Sequence, residues 1–407
     1  MLSSNNINKA GKREENSEQK SFSSYKKQKV EYDQFVRNEI GCFKSEEYGS
    51  VYFSSFNPVW PILGCGLSDG RVLIIEGKRQ ADLVGKWENK TWNHVNAMSA
   101  MTDLGWNMDG TLLLAAFLDG QIVLWNKNTK TTMEIKDLNG EQVWAITWNP
   151  FLPTILATRS DQTVLVWDLA QNQPKSSKQR FAFHSNLLRD LVWISEDQFF
   201  SCSDDGLILL CQIGTESPIK SFDYGDAVLS LSWNNTLNLL GSLSRSGSTM
   251  VWSMENDEPV YLVKNERMKR PTCLAWYLFD DSIAESSWTL IACGLEDGSV
   301  VLWDSCGDSD PVISLLVQTN SIWDISFSPD GMFLTSIDLQ GNFVIWATKT
   351  WQIVFQSNLS FRASKRILQW GGGGRKLAIA NPDEQIHIIE AVELVKNTHT
   401  DTYDDER

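Results

Sequence analysis

The sequence predicts an all-β fold: an eight-bladed β-propeller flanked by disordered N- and C-terminal tails. Three observations predict it. A tryptophan, or a residue in its place, recurs about every 43 residues, six positions after an acidic turn residue. A second apolar beat ending in Trp or Phe precedes each copy. Eight such units take up residues 36–390, and self-similarity at this period marks a repeat architecture in which no unit can bury its core alone.

The units read in order as LSDGRVLI (67–74), FLDGQIVLW (117–125), RSDQTVLVW (159–167), SDDGLILLC (203–211), SRSGSTMVW (244–252), LEDGSVVLW (295–303), DLQGNFVIW (338–346) and NPDEQIHII (381–389). Their first beats end at Phe56, Trp106, Trp148, Trp193, Trp233, Trp276, Phe327 and Trp370. This is the pattern of WD repeats. Each unit predicts four strands, a to d. Strand a is apolar and ends at the first beat, as in VWAITW (143–148) and IWDISF (322–327). A turn rich in Pro, Gly, Asn and Asp follows, then strand b, a tight turn, strand c ending on the second beat, and a variable strand d. Alternation is blurred in a, b and c, as expected for strands covered on both faces by neighbouring blades.

The tight-turn acids are Asp69, Asp119, Asp161, Asp205, Asp297 and Asp383, with Ser246 and Gln340 in the other two units. Short acidic side chains bond nearby backbone amides, so these residues are read as turn-holders rather than catalysts. The strand-c tryptophans are core, and Trp167→Ala is expected to cost about 3–5 kcal/mol.

Residues 1–35 are a polar tail rich in Ser, Asn, Lys, Glu and Gln, expected to be disordered. They contain a small basic cluster, YKKQK (25–29), read as a solvated tail or a nuclear localisation signal. Residues 391–407 form an acidic tail. Segment 36–43 (VRNEIGCF) is expected to close the ring as the outer strand of blade 8, because an unclosed ring leaves two open edges. Blade 6 carries an insertion, YLFDDSIAESSW (277–288), between strands a and b.

Formal net charge is −15, although residues 1–40 carry eight Lys/Arg against six Asp/Glu. So acidic a ring repels a phosphate backbone, and no direct nucleic-acid partner is expected. No apolar run reaches 18 residues, so no membrane-spanning helix and no membrane partner is expected. The seven cysteines show no zinc spacing and read as reduced, buried thiols, with neither metal nor cofactor. Nothing indicates an enzyme. The four histidines (His94, His184, His387, His399) adjoin no nucleophile motif, and no phosphate-binding or metalloprotease signature occurs. GGGG (371–374) falls at an a–b turn.

Two stretches carry a closer likeness. TDLGWNMDGTLLLAAFLDGQIVLW (102–125) resembles the second repeat of the transducin β-like 1 family of corepressor subunits. FHSNLLRDLVW (183–193) with FFSCSDDGLILLCQIGTESPIKSF (199–222) resembles that family's fourth repeat, where Cys also replaces the usual Trp and a Gly…Pro-Ile-Lys segment follows. The repeat number and the blade-6 insertion fit as well. The resemblance implies a non-catalytic WD-repeat scaffold in a nuclear histone deacetylase corepressor complex, regulating transcription by contacting corepressor chains, deacetylase subunits or histone tails. It implies nuclear residence, with cytoplasmic residence beside it. The family also carries an N-terminal LisH helix pair and an F-box-like stretch, and residues 1–40 show no helical period to match them. The competing reading is a substrate-recognition adaptor of a ubiquitin ligase, or a cytoplasmic scaffold.

Four residues before each first beat stand Tyr52, Thr102, Trp144, Arg189, Leu229, Thr272, Trp323 and Arg366. In register, they ring the mouth of the central channel. Trp, Tyr and Arg dominate binding hot spots, so Tyr52, Trp144, Arg189, Trp323 and Arg366 are the candidate partner-binding residues. Asp103 and Asp324 each follow a ring position and are expected to point away from the mouth.

Overall fold

The computed structural model describes residues 39–44, 51–68, 70–76, 88–92, 100–135, 142–170, 178–263, 269–277, 290–304, 311–359, 368–371, 373–374, 376–381 and 385–390. The two tails, YKKQK (25–29), the blade-6 insertion from 278 onward, Asp69, Asp383 and Arg366 lie outside them.

The chain is an eight-bladed propeller of four-stranded antiparallel sheets. Strands a of blades 1 to 8 are Val51–Phe56, Met101–Trp106, Ala145–Trp148, Leu188–Trp193, Val228–Asn234, Pro271–Trp276, Ile322–Phe327 and Leu368–Gly371. In blades 1 to 7 the four strands follow one another in the chain. Blade 8 takes its fourth strand from the other end of the sequence: Glu39–Lys44 pairs antiparallel with Gln385–Glu390, with Phe43 opposite Ile386.

Eight buried clusters fill the wedges between neighbouring blades. Between blades 2 and 3, for example, Leu114, Ala116 and Leu124 meet Ile146, Leu156 and Trp167. Strands b are buried along their length, as in Ile62–Leu67 and Phe333–Asp338, which is why they do not alternate in sequence. The strand-c residues Trp167, Trp252, Trp303 and Trp346 are buried, and Cys211 takes that place in blade 4.

The first-beat tryptophans do more than fill space. Four of the six reach back and donate the indole N–H to a strand-a carbonyl of the preceding blade: Trp106 to Ser55 (3.1 Å), Trp148 to Gly105 (2.9 Å), Trp193 to Thr147 (3.1 Å) and Trp276 to Ser232 (2.9 Å), whereas the Trp233 and Trp370 indole nitrogens are buried without such a partner. Phe56 of blade 1 meets blade 8 differently. A Cβ on Gly371 would lie 2.4 Å from the Phe56 ring, so the last strand a comes this close only because it ends in glycine.

Candidate functional site

Strand a, the d–a link before it and the b–c turn all open on one face. There the ring positions share a structural cause. The register of strands a and b shifts at Val51/Phe53, Met101/Asp103, Leu188/Asp190, Val228/Ser230, Pro271/Cys273 and Ile322/Asp324. The residue skipped is Tyr52, Thr102, Arg189, Leu229, Thr272 or Trp323. Each is the extra residue of a β-bulge, which bends the strand and re-aims that side chain. In blade 3, Trp144 stands just ahead of strand a, its N–H donating to the Arg159 carbonyl at 2.8 Å.

In blades 2 and 4 the residue after the bulge turns inward and ties two blades. The Asp103 carboxylate is buried, accepting the Leu104 N–H (2.9 Å) and, from the next blade, the Ile146 N–H (3.0 Å). Asp190 does the same for Leu191 (2.9 Å) and Leu231 (3.0 Å) and accepts the Ser230 hydroxyl (3.2 Å).

Two of the candidate residues stand well out of the surface: Tyr52 is 42% and Trp144 49% exposed. Trp144 is not loose, because its indole N–H donates to the Asp161 carboxylate at 2.7 Å. Asp161 thus holds a neighbouring tryptophan, whereas Asp119, Asp205 and Asp297 accept the N–H two residues on, as turn-holders do. Trp323 is half-buried against the apolar cluster of Phe333, Ile337 and Leu368 between blades 7 and 8. Arg189 grips Asp204 with its Nε (2.8 Å) and an Nη2 nitrogen, while Arg245 of blade 5 donates to the same carboxylate at 2.9 Å. The Arg189 hydrogen bond, with Arg245 behind it, holds the Asp204 carboxyl below its usual range.

The sequence reading passed over Asp204 and Arg245. Their only signal was position: an acid doubled at 204–205 and an arginine in the matching turn of the next repeat. Bonds link these elements across three blades. Leu188 N–H donates to Asp161 O (2.7 Å) and Asp204 N–H to Leu187 O (2.9 Å). Trp144, exposed Leu187, Arg189 and Arg245 therefore form one stretch of the face, apolar at one end and cationic at the other.

Blade 4 has a buried polar chain beside this face. The His184 Nδ1–H donates to Asp205 (2.9 Å), and the Ser201 hydroxyl, at 2.9 Å from Nε2, also bonds the Cys211 thiol. Burial lowers the His184 pKa, against the opposing pull of Asp205, and raises the Cys211 thiol to about 12. A neutral imidazole and an inert thiol, both enclosed, serve the blade's packing. Among the described residues, no group of His, Cys, Asp and Glu could hold a metal ion.

The profile of the family described as "WD domain, G-beta repeat" matches residues 88–126, 133–168 and 309–346. The F-box-like/WD repeat-containing protein TBL1X of Mus musculus is 25% identical over 290 residues, covering 70% of this chain and 54% of that protein. The chain is a WD-repeat protein with a diverged similarity to the transducin β-like 1 proteins. Human TBL1Y is 29% identical over 191 residues, 45% of this chain and 36% of TBL1Y. The chain thus spans about half or less of the curated relatives it matches. Among solved structures, the C-terminal WD40 domain of Sif2 superposes with a TM-score of 0.70 at 18% identity, covering 86% of this chain and 97% of that domain. That likeness shows the fold.

Proposed function

We propose that this diverged transducin β-like 1 relative is a non-catalytic scaffold subunit of a nuclear histone deacetylase corepressor complex. It regulates transcription by holding corepressor and deacetylase chains, or histone tails, on the channel-mouth face. The observation that carries the reading is Trp144: half-exposed at the mouth, yet pinned by Asp161. An aromatic anchor that needs little ordering on binding is what hot spots use. Tyr52, Arg189, Trp323 and Arg366 complete the proposed contact set around the mouth.

The test is affinity purification of the intact protein from its own cells, beside a Trp144→Ala/Trp323→Ala variant. A class I deacetylase and its corepressor are expected with the parent and lost from the variant, with melting unchanged for Trp144→Ala alone. Cullin or ligase subunits in their place would move the protein to the adaptor reading, which the F-box-like description of its relatives favours. Partners retained by the variant would remove the channel mouth from the proposal.

A further inference from the structure

The opposite face carries an apolar arc that belongs to no blade core. Val59 and Trp60 of blade 1, Met108 of blade 2 and Phe151 of blade 3 are 46%, 47%, 44% and 38% exposed, on three consecutive a–b turns. Lone exposed apolar residues are ordinary, but neighbouring ones on adjacent elements mark an interaction site. The three turns are bonded to one another. Asn57 Nδ2 donates to Gly110 O at 2.7 Å, Asn107 Nδ2 to Pro153 O at 3.0 Å, and Asn149 Nδ2 to Glu196 O at 3.0 Å. All three asparagines are buried.

The turns of blades 1 and 3 share one pattern, N-P-x-x-P, at 57–61 and 149–153. In each, the Asn Oδ1 accepts the N–H groups of the two residues between the prolines: Val59 and Trp60 (3.0 and 2.9 Å), which both project, and Phe151 and Leu152 (2.8 and 3.0 Å), of which Phe151 projects and Leu152 packs against the wedge between blades 3 and 4. Prolines fix φ on both sides of that pair. Gly110, at φ +70°, lies where a Cβ would strike the Asn57 amide, so the blade-2 turn is seated directly on the blade-1 turn. The arc is preorganised, and a ligand need not order it. It ends at blade 4, whose turn is Ser195–Glu196–Asp197.

One cation sits on the arc. Lys127, from the c–d turn of blade 2, holds its ammonium 3.9 Å from the centre of the Trp60 ring. Nearby Lys130 pairs with Glu76 at 2.9 Å, whereas Lys127 has no ion-pair partner among the described residues. We propose that this arc docks an apolar-acidic segment of a partner protein. Two or three large apolar side chains lie across Val59, Trp60, Met108 and Phe151, and a carboxylate sits on Lys127. A second copy of this chain fits less well, since two whole chains of net charge −15 each repel as they approach, whereas a short segment need bring only one carboxylate, directly to Lys127.

The probes are three synthetic peptides of about 16 residues, a usual length for a docked helical segment. One sets Leu and Phe against Glu, its twin has Lys for Glu, and a polar twin has Ser for each apolar residue. Fluorescence anisotropy with the intact protein is expected to rank the apolar-acidic peptide first. Trp60→Ser/Phe151→Ser is expected to weaken it at least about tenfold. Lys127→Glu is expected to reverse the preference between the charged twins, and Trp144→Ala to change nothing. If the double variant fails to fold, the Lys127→Glu reversal decides alone. Equal binding of the polar twin, no peptide binding, or no effect of either variant overturns the proposal. So does a concentration-dependent dimer in sedimentation that Trp60→Ser/Phe151→Ser abolishes, which would give the arc to a second copy.

Discussion

His184 is buried in blade 4, and its neighbours set its charge. Burial favours the neutral ring, so its folded pKa lies below its ordinary value of 6.5. In the window between those two values the unfolded chain binds more protons, and stability falls as pH drops. Its contribution is complete above about pH 6.5 and fades below it. Asp205, pushed up by burial but held down more strongly by the Leu207 and Ser185 N–H groups and by His184, loses its own contribution at more acid pH. The expected outcome is a melting temperature that declines from about pH 7 to about pH 5 in the parent and declines less in His184→Gln. Parallel profiles for the two proteins would show that His184 does not set this slope. At the mouth, Arg189 and Trp144 differ in how readable they were. Their position in the repeat was plain, but the partners that fix them, Asp204, Arg245 and Asp161, come from turns 15 to 56 residues away in order along the chain. No local pattern reports such pairs.

Strand a is the element that joins wedge, channel and face. Its period-two alternation fails because the bulge inserts one residue and flips the faces beyond it. That is why Arg189 looks out while Asp190, its neighbour, ties Leu231 of the next blade. The beat residues were legible because they recur. The bulge was not, because it is a property of pairing between strands and leaves no fixed residue type behind: Tyr52, Thr102, Leu229 and Thr272 have little in common. The inward turn of Asp103 followed from its place in the strand, but its bond to Ile146 did not. That bond predicts a cost. In Asp103→Ala the Ile146 N–H remains buried without its acceptor, an expected loss of about 1–3 kcal/mol. Asp103→Asn keeps an oxygen for one of the two N–H groups and should lose less. Urea unfolding of the three proteins measures this, and equal midpoints for Ala and the parent would show that the tie contributes nothing.

At the scale of the whole ring, closure depends on residues far apart in sequence. The side-chain seam between blades 8 and 1 contains Leu63, Cys65, Ala378 and Ile388, with Phe56 against Gly371. The backbone closure is the pairing of Glu39–Lys44 with Gln385–Glu390. Removing the N-terminal strand leaves the seam intact but bares the ladder edge of the last strand, and a bare edge both loses its hydrogen bonds and invites pairing with another chain. Deletion of residues 1–45 is therefore expected to lower the melting temperature by about 5 °C or more, and to raise the fraction of oligomer at high concentration. Deletion of residues 1–30 spares the strand and is expected to melt with the full chain. The comparison separates the strand from mere shortening, because both truncations remove the basic tail. If the two melt together, the outer strand contributes little and the side-chain seam alone holds the ring shut.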